Sequence, residues 1–134
     1  MYKINILILL LSTLAITACQ VISPIFVNYN GVRRDVAQWI NHQQFMSMQQ
    51  KRTLAQLSRA QQQIKRYPEY DQTQRLAIAK ENQIAFYCAR LHVSEHKIQQ
   101  LQQQIFAPET HSILNQYEQL APQIKLDPAS IQCD

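Results

Sequence analysis

From Val32 onward, apolar residues recur at intervals of three and four, which is the spacing of an amphipathic α-helix. Successive stretches of this kind, joined by short loops, predict an all-α protein: a small antiparallel helical bundle of about four or five helices. The residues expected to face its interior are Val36, Trp39 and Ile40; Leu54, Leu57 and Ile64; Leu76, Ala79, Ile84, Cys88 and Leu91; Ile98, Leu101 and Ile105; and Ile113, Leu114, Tyr117 and Leu120.

Polar side chains mark where two of these helices begin. Ser47 is followed three residues later by Gln50, and Asp71 by Gln74, which is the spacing of a capping box. In that motif each side chain bonds the backbone N–H of the other residue. The other predicted boundaries are a helix end near Arg66 before Pro68, a cap or kink at Ser94, and a break at Ala107–Pro108.

Composition narrows the classes of function. The single glycine, Gly31, leaves no glycine-rich loop that could cradle a phosphate or a dinucleotide. Glutamine makes up about a fifth of residues 19–134; it is a fair helix former, although the same bias also occurs in disordered tracts. These residues carry 12 basic and 9 acidic side chains, and so mild a positive charge does not indicate a nucleic-acid partner.

The first residues form a different pattern. An almost wholly apolar run follows Lys3 and ends in Ile16, Thr17, Ala18 and Cys19. The run is shorter than the roughly 20 residues of a membrane-spanning helix, so it predicts a secretory signal peptide over residues 1–18. The alternatives are an uncleaved signal anchor and a chance cysteine in an ordinary cleaved signal.

The boundary at Cys19 resembles the lipobox of bacterial lipoproteins. The resemblance implies that the Cys19 sulfur receives a diacylglyceryl group, that the chain is cut just before it, and that the new amino terminus is acylated, commonly with palmitate. Gln20 follows, where an aspartate would suggest retention at the inner membrane. The implied location is therefore the inner leaflet of the outer membrane, with the body of the protein in the periplasm.

The rest of the chain divides at its turn signals. Residues 19–31 are predicted to be a lipidated tether, residues 32–121 a helical domain, and residues 122–134 an irregular tail punctuated by Pro122 and Pro128. With Cys19 lipidated, Cys88 and Cys133 remain, an even number in an oxidising compartment. We expect them to form a disulfide; two unpaired thiols are the alternative.

A second resemblance covers residues 19–57. Tyr29-Asn30, Trp39 and the stretch from Met46-Ser47 to Gln50 resemble the pattern of a family of uncharacterised, all-helical lipoproteins of Gram-negative bacteria. That family has no established activity to carry over. Members of that family carry a leucine-threonine-x-x-glutamine stretch where this chain has Met46 to Gln50. The same stretch marks periplasmic stress chaperones of the Spy type, although a capping box alone accounts for Ser47 and Gln50.

Candidate chemistry is sparse. His92, Glu95 and His96 fit the histidine-x-x-glutamate-histidine pattern of inverted zinc metallopeptidases. Ser94 is expected to cap a new helix between them, so we predict exposed histidines and no metal site. Trp39 and Phe45 are candidates for a surface or ligand contact, with a core position for Trp39 as the alternative. No catalytic residue and no cofactor are predicted.

These observations predict a membrane-anchored, non-enzymatic accessory or scaffold protein that contacts an envelope protein through its helix surfaces. The amides of Gln99, Gln100, Gln102, Gln103 and Gln104 would suit such contacts, and would suit a solvated helix face equally well. The alternatives are a chaperone-like helical cradle in the periplasm, and a binder of a lipid or cell-wall ligand.

Overall fold

A computed structural model of the chain describes residues 31–134. The predicted signal peptide, Cys19 and the tether up to Asn30 lie outside the described residues. Five α-helices make up most of the described part: α1 (Arg34–Asn41), α2 (Met48–Gln63), α3 (Gln72–His92), α4 (Glu95–Phe106) and α5 (Thr110–Leu120). Two 3₁₀ turns, Ile64–Glu69 and Pro128–Ser130, complete the order, and residues 31–134 contain no strand. The predicted all-α bundle is confirmed.

The predicted caps are present at the starts of α2 and α3. Ser47 Oγ accepts from the Gln50 N–H at 3.2 Å while Gln50 Oε1 accepts from the Ser47 N–H at 2.9 Å. Asp71 and Gln74 make the same reciprocal pair at 2.9 and 3.1 Å. Because these bonds form within four residues of sequence, the helix starts follow directly from local chemistry.

The segment around Pro68 closes α2 in a tighter turn than the sequence predicts. The α-helix ends at Gln63, and the 3₁₀ turn carries the chain on to Glu69. Tyr67 is buried there, and its hydroxyl donates to the Arg75 carbonyl at 2.9 Å. Arg75 returns hydrogen bonds to the carbonyls of Tyr67 and Pro68, so this corner is fixed to the first turn of α3.

Helix α2 lies at the centre of the bundle and packs against α1, α3 and α4. Its buried face carries large aliphatic side chains, with Ala60 and Ser58 between them. Gly31, where the described chain begins, sits against Arg59 of α2 with a positive φ of 78°, a conformation that favours glycine. Its carbonyl accepts from Gln62 Nε2 at 2.6 Å.

The inward face of α3 differs in part from the predicted one. Leu76 and Leu91 were expected in the interior, yet they are 52% and 58% exposed. Ala79 and Cys88, also predicted inward, are buried as expected, and the rest of the buried face consists of Ile78, Asn82, Ala85 and Ala89. Each leucine lies three positions from a buried residue, Ala79 or Cys88, which on a helix is about 60° around the axis. Leu120 at the end of α5 was also expected inward, and it too is exposed.

A buried amide network accounts for this choice of face. Gln61 Nε2 of α2 donates to Asn82 Oδ1 of α3 at 2.6 Å, and Gln102 Nε2 of α4 donates to Gln61 Oε1 at 3.1 Å. Asn82 Nδ2 also donates to the carbonyls of Ala60 and Ile78, both at 3.1 Å. Gln61 and Asn82 are almost completely buried, so their polar groups need these partners. The network joins α2, α3 and α4 and fixes how each helix is rotated about its own axis.

Among residues 31–134, no helix combines the length and the hydropathy that crossing a bilayer requires.

Replacing Asn82 with alanine should lower the free energy of unfolding by about 2 kcal/mol, because it leaves the buried Gln61 amide without its partner. Urea unfolding followed by circular dichroism measures the change. Gln83→Ala, at the neighbouring position outside the network, is the matched control and should cost less than about 0.5 kcal/mol. Equal losses in the two variants would contradict a specific role for the network.

Candidate functional site

Cys88 and Cys133 come together where the tail, residues 122–134, meets α3. The structure places the pair at disulfide distance, with Cα atoms 5.6 Å apart and the two cysteines 45 positions apart in sequence. Cys88 is fully buried on α3, whereas Cys133 lies in the exposed last stretch of the tail. The predicted juxtaposition of the two cysteines is therefore confirmed.

Polar contacts to α2 hold the end of the tail beside this pair. Gln49 Nε2 donates to the Asp134 carbonyl at 2.9 Å, and Arg59 forms an ion pair with the Asp134 carboxylate. Gln56 contacts the backbone of both Gln132 and Asp134. Both partners of the ion pair are partly exposed, and such pairs contribute little on their own.

An open groove of about 720 Å³ lies between α3, α5 and the tail. We call it the tail groove. Its apolar walls are formed by Phe86, Tyr87, Leu91, Tyr117, Ile124, Leu126 and Ile131. Tyr87 and Leu91 are among the most exposed large apolar side chains of residues 31–134. Leu91, which was expected in the interior, therefore lines the tail groove.

The charged groups of the tail groove are few. Arg90 and Glu118 are the ionisable side chains among its lining residues, apart from its tyrosines. The Arg90 guanidinium lies 5.2 Å from the centre of the Phe86 ring and pairs with Glu95 at 3.3 Å, outside the groove. The walls are thus mostly apolar, with the amides of Asn82 and Gln83, one cation and one carboxylate among them.

A smaller depression of about 510 Å³ adjoins the tail groove through Pro122, which lines both. Leu76 and Leu120 form its apolar part, beside Tyr70 and Arg75. Leu76 and Leu120, both expected in the interior, thus extend the exposed apolar surface of the tail groove. Contiguous apolar surface of this kind commonly marks interaction sites in folded proteins.

The structure does not bring Trp39 and Phe45 into one pocket. Phe45 lies in the loop between α1 and α2 and is 99% exposed. Trp39 is half-buried and packs against the core, and the groove that it lines contains Gln43 and Lys97 but not Phe45. The two side chains are therefore separate surface features.

The three residues of the metallopeptidase-like pattern are divided between two helices. His92 ends α3, and Ser94 caps α4, its Oγ accepting from the Lys97 N–H at 3.3 Å. Glu95 pairs with Arg90, and His96 Nε2 lies 3.1 Å from Gln100 Nε2. Within residues 31–134, no three histidine, cysteine, aspartate or glutamate side chains come together as a possible metal site.

The tail forms part of the tail groove, a role that the sequence did not predict. Residues 122–134 were expected to be an irregular tail, and they do run without an α-helix apart from the short turn Pro128–Ser130. Asp127 stabilises that turn by accepting from the Ala129 N–H at 3.0 Å. The available signal was the alternation of Ile124 and Leu126 with polar residues, followed by Cys133.

The chain matches no model of a known protein family, no curated protein and no solved structure.

Tyr117, at the floor of the tail groove, links the groove to the core. Its ring meets that of Tyr67 edge to face, with centroids 4.9 Å apart. Burial raises the pKa of Tyr117 to about 12, and the neighbouring Tyr67 adds to the rise. The neutral phenol is the form that the folded protein stabilises.

This pKa shift predicts a loss of stability at alkaline pH. The unfolded chain releases the Tyr117 proton near the ordinary value of 10.0, while the folded chain holds it up to about 12. Between these values the unfolded state binds fewer protons, so stability falls as pH rises. Thermal unfolding of Tyr117→Phe should show a shallower decline across this window than the wild type. Tyr87→Phe, at an exposed groove tyrosine, is the control; identical declines in all three proteins would contradict the assignment.

Proposed function

We propose that this protein is a non-enzymatic, lipid-anchored protein of the bacterial envelope that binds a partner protein in the tail groove. The observation that carries the proposal is the groove itself: an open, apolar surface built from α3, α5 and a tail that the two cysteines hold in place. Aromatic and aliphatic side chains in such a position are the anchors of protein interfaces.

The shape and the lining of the groove favour a protein segment as the occupant. About 720 Å³ of open space, continuous with the depression at Leu76 and Leu120, has room for several side chains in a row. Because the groove is open along its length and the two parts meet at Pro122, it suits an elongated apolar segment of another protein. An amphipathic helix is one such segment.

The sparse charge of the groove favours binding over catalysis. Acid–base chemistry needs positioned titratable groups within reach of a substrate. Arg90 is paired with Glu95, which leaves Glu118 as the one unpaired charged group of the lining. A binding surface accounts for this composition without a reaction.

The envelope location rests on Cys19 and the residues before it. If Cys19 carries a diacylglyceryl group and an acylated amino terminus, the chain is held by several acyl chains, each buried methylene contributing about 0.8 kcal/mol. The periplasm is oxidising, so the same location makes a covalent Cys88–Cys133 bond the expected state of the pair.

A second candidate function shares the groove. An open apolar groove also suits transient binding of unfolded client segments or of a lipid chain, as a chaperone or a lipid-binding protein would require. The crosslinking experiment below distinguishes these functions by the identity of the captured molecule.

The anchor is tested by metabolic labelling. Cells that express the full chain and are fed labelled palmitate should incorporate label into the wild type and into Cys133→Ser, but not into Cys19→Ser. The hydroxyl cannot form the thioether, so Cys19→Ser should also leave the membrane fraction after signal removal. Equal labelling of the Cys19→Ser and Cys133→Ser proteins would contradict the lipoprotein proposal.

The groove is tested by site-specific photocrosslinking in intact cells. Benzoylphenylalanine replaces Tyr87 inside the groove or Phe45 outside it, both exposed aromatic positions. A discrete protein adduct is expected at position 87 and not at 45. Leu91→Lys places an unpaired charge in the apolar wall and should reduce that adduct about tenfold, with the melting temperature unchanged because Leu91 is exposed.

The captured protein, identified by mass spectrometry and purified, should bind the wild-type chain and fail to bind Leu91→Lys. A lipid adduct at position 87, or a broad mixture of unfolded clients, would favour the second candidate function. The same adducts at positions 87 and 45 would contradict any role for the groove.

A further inference from the structure

A second, polar groove lies between the end of α1 and the outer face of α4. Its volume is about 530 Å³, within the range of roughly 300–1,000 Å³ typical of small-molecule sites. We call it the Trp39 groove. Its main lining side chains are Trp39, Gln43, Lys97, Gln100, Gln103 and Gln104. None of these residues lines the tail groove, so the two sites are separate.

Lys97 gives this groove an uncompensated positive charge. Its ammonium lies 5.6 Å from the centre of the Trp39 ring and donates to Gln43 Oε1 at 3.0 Å. Gln43 is itself held by its Nε2, which donates to the Trp39 carbonyl at 3.1 Å. Within residues 31–134 Lys97 forms no ion pair, and the nearby Glu95 is engaged by Arg90. A half-buried cation with only neutral partners is a site for an anion.

The remaining lining groups are amides. Gln103 and Gln104 use their backbone carbonyls to accept from Ala107 and Arg33, and their side-chain amides pair with no group of residues 31–134. Each amide offers two donors and one acceptor on a planar group. Hydroxyl groups, which both donate and accept, are the ligand chemistry that such amides match.

The indole of Trp39 supplies the third recognition element. An aromatic face carries negative charge density and attracts weakly positive C–H groups as well as cations. A pyranose ring presents a face of C–H groups and an edge of hydroxyls. Together, the indole, the amides and the ammonium of the groove fit a sugar that presents a C–H face, hydroxyl groups and an acid group.

We propose that the Trp39 groove binds an acidic saccharide, with the sugar ring against Trp39, its hydroxyls on the amides of Gln103 and Gln104, and its carboxylate on Lys97. Such a ligand uses every unpaired group of the groove. A simple anion would use Lys97 alone, and a neutral sugar would leave Lys97 without a counter-charge. The proposal depends neither on the tail groove nor on the anchor at Cys19.

Trp39 makes the test direct, because it is the single tryptophan of the chain. Its fluorescence is recorded while the full chain, purified in detergent, is titrated with tetragalacturonate, with neutral chitotetraose, or with inorganic phosphate. We expect a saturable change with tetragalacturonate at concentrations at least tenfold below those needed for the other two. Thermal unfolding of each variant confirms that it is folded.

Lys97→Gln should weaken tetragalacturonate binding about tenfold, because a hydrogen bond to a charged group is lost. Lys125→Gln, which removes the same charge from the exposed tail, is the matched control and should bind as the wild type does. Gln104→Ala should weaken the sugar and leave phosphate unaffected. Photocrosslinking at position 87 should be unchanged in Lys97→Gln, so failure here is separable from failure of the tail groove.

Three results would overturn the proposal. One is the absence of a saturable change with tetragalacturonate. Another is phosphate binding as tightly as tetragalacturonate, which would reduce the site to a simple anion site. The last is equal weakening by Lys97→Gln and Lys125→Gln, which would show attraction to the overall charge of the protein.

Discussion

The contact between Cys88 and Cys133 is the constraint on which the candidate site depends. Helix packing alone leaves α3 and α5 as two walls of an open cleft, and the tail supplies the third wall with Ile124, Leu126 and Ile131. The tail lies beside α3 and contains no α-helix that could stabilise it, only the short turn Pro128–Ser130. Closing a loop of 45 residues between the cysteines would contribute about 4 kcal/mol in the chain-entropy description, far more than the exposed ion pair of Arg59.

The interior explains why Leu76 and Leu91 of α3 point outward. Gln61 bonds both Asn82 and Gln102 where three helices meet, and this fixes the rotation of α3. Small side chains at Ala85 and Ala89 then face α2. Leu91 is left on the outside, where it lines the tail groove. The exposed apolar surface on the outside of the bundle is therefore a consequence of the buried polar network on the inside.

Local chemistry made the helices predictable. The caps at Ser47, Asp71 and Ser94 act within three residues, and each is present where the sequence places it. The face of α3 was predictable only in part: Ala79 and Cys88 are buried as expected, but an asparagine, Asn82, makes the decisive contact across the bundle, and hydropathy does not place it inside. The tail and the Trp39 groove depend on contacts between residues distant in sequence, which no local pattern encodes. The cysteine pair was predictable because Cys88 and Cys133 are the two cysteines that follow Cys19 in the sequence.

Backbone motion of the tail tests this account most directly. Amide ¹⁵N relaxation of oxidised protein should give order parameters above about 0.8 for residues 124–131, comparable to those of α4, because the tail is a fixed wall of the groove. In Cys133→Ser the same residues should fall below about 0.6 while α4 is unchanged. A tail that is already mobile in oxidised protein, or one equally rigid without the cysteine, would contradict the account.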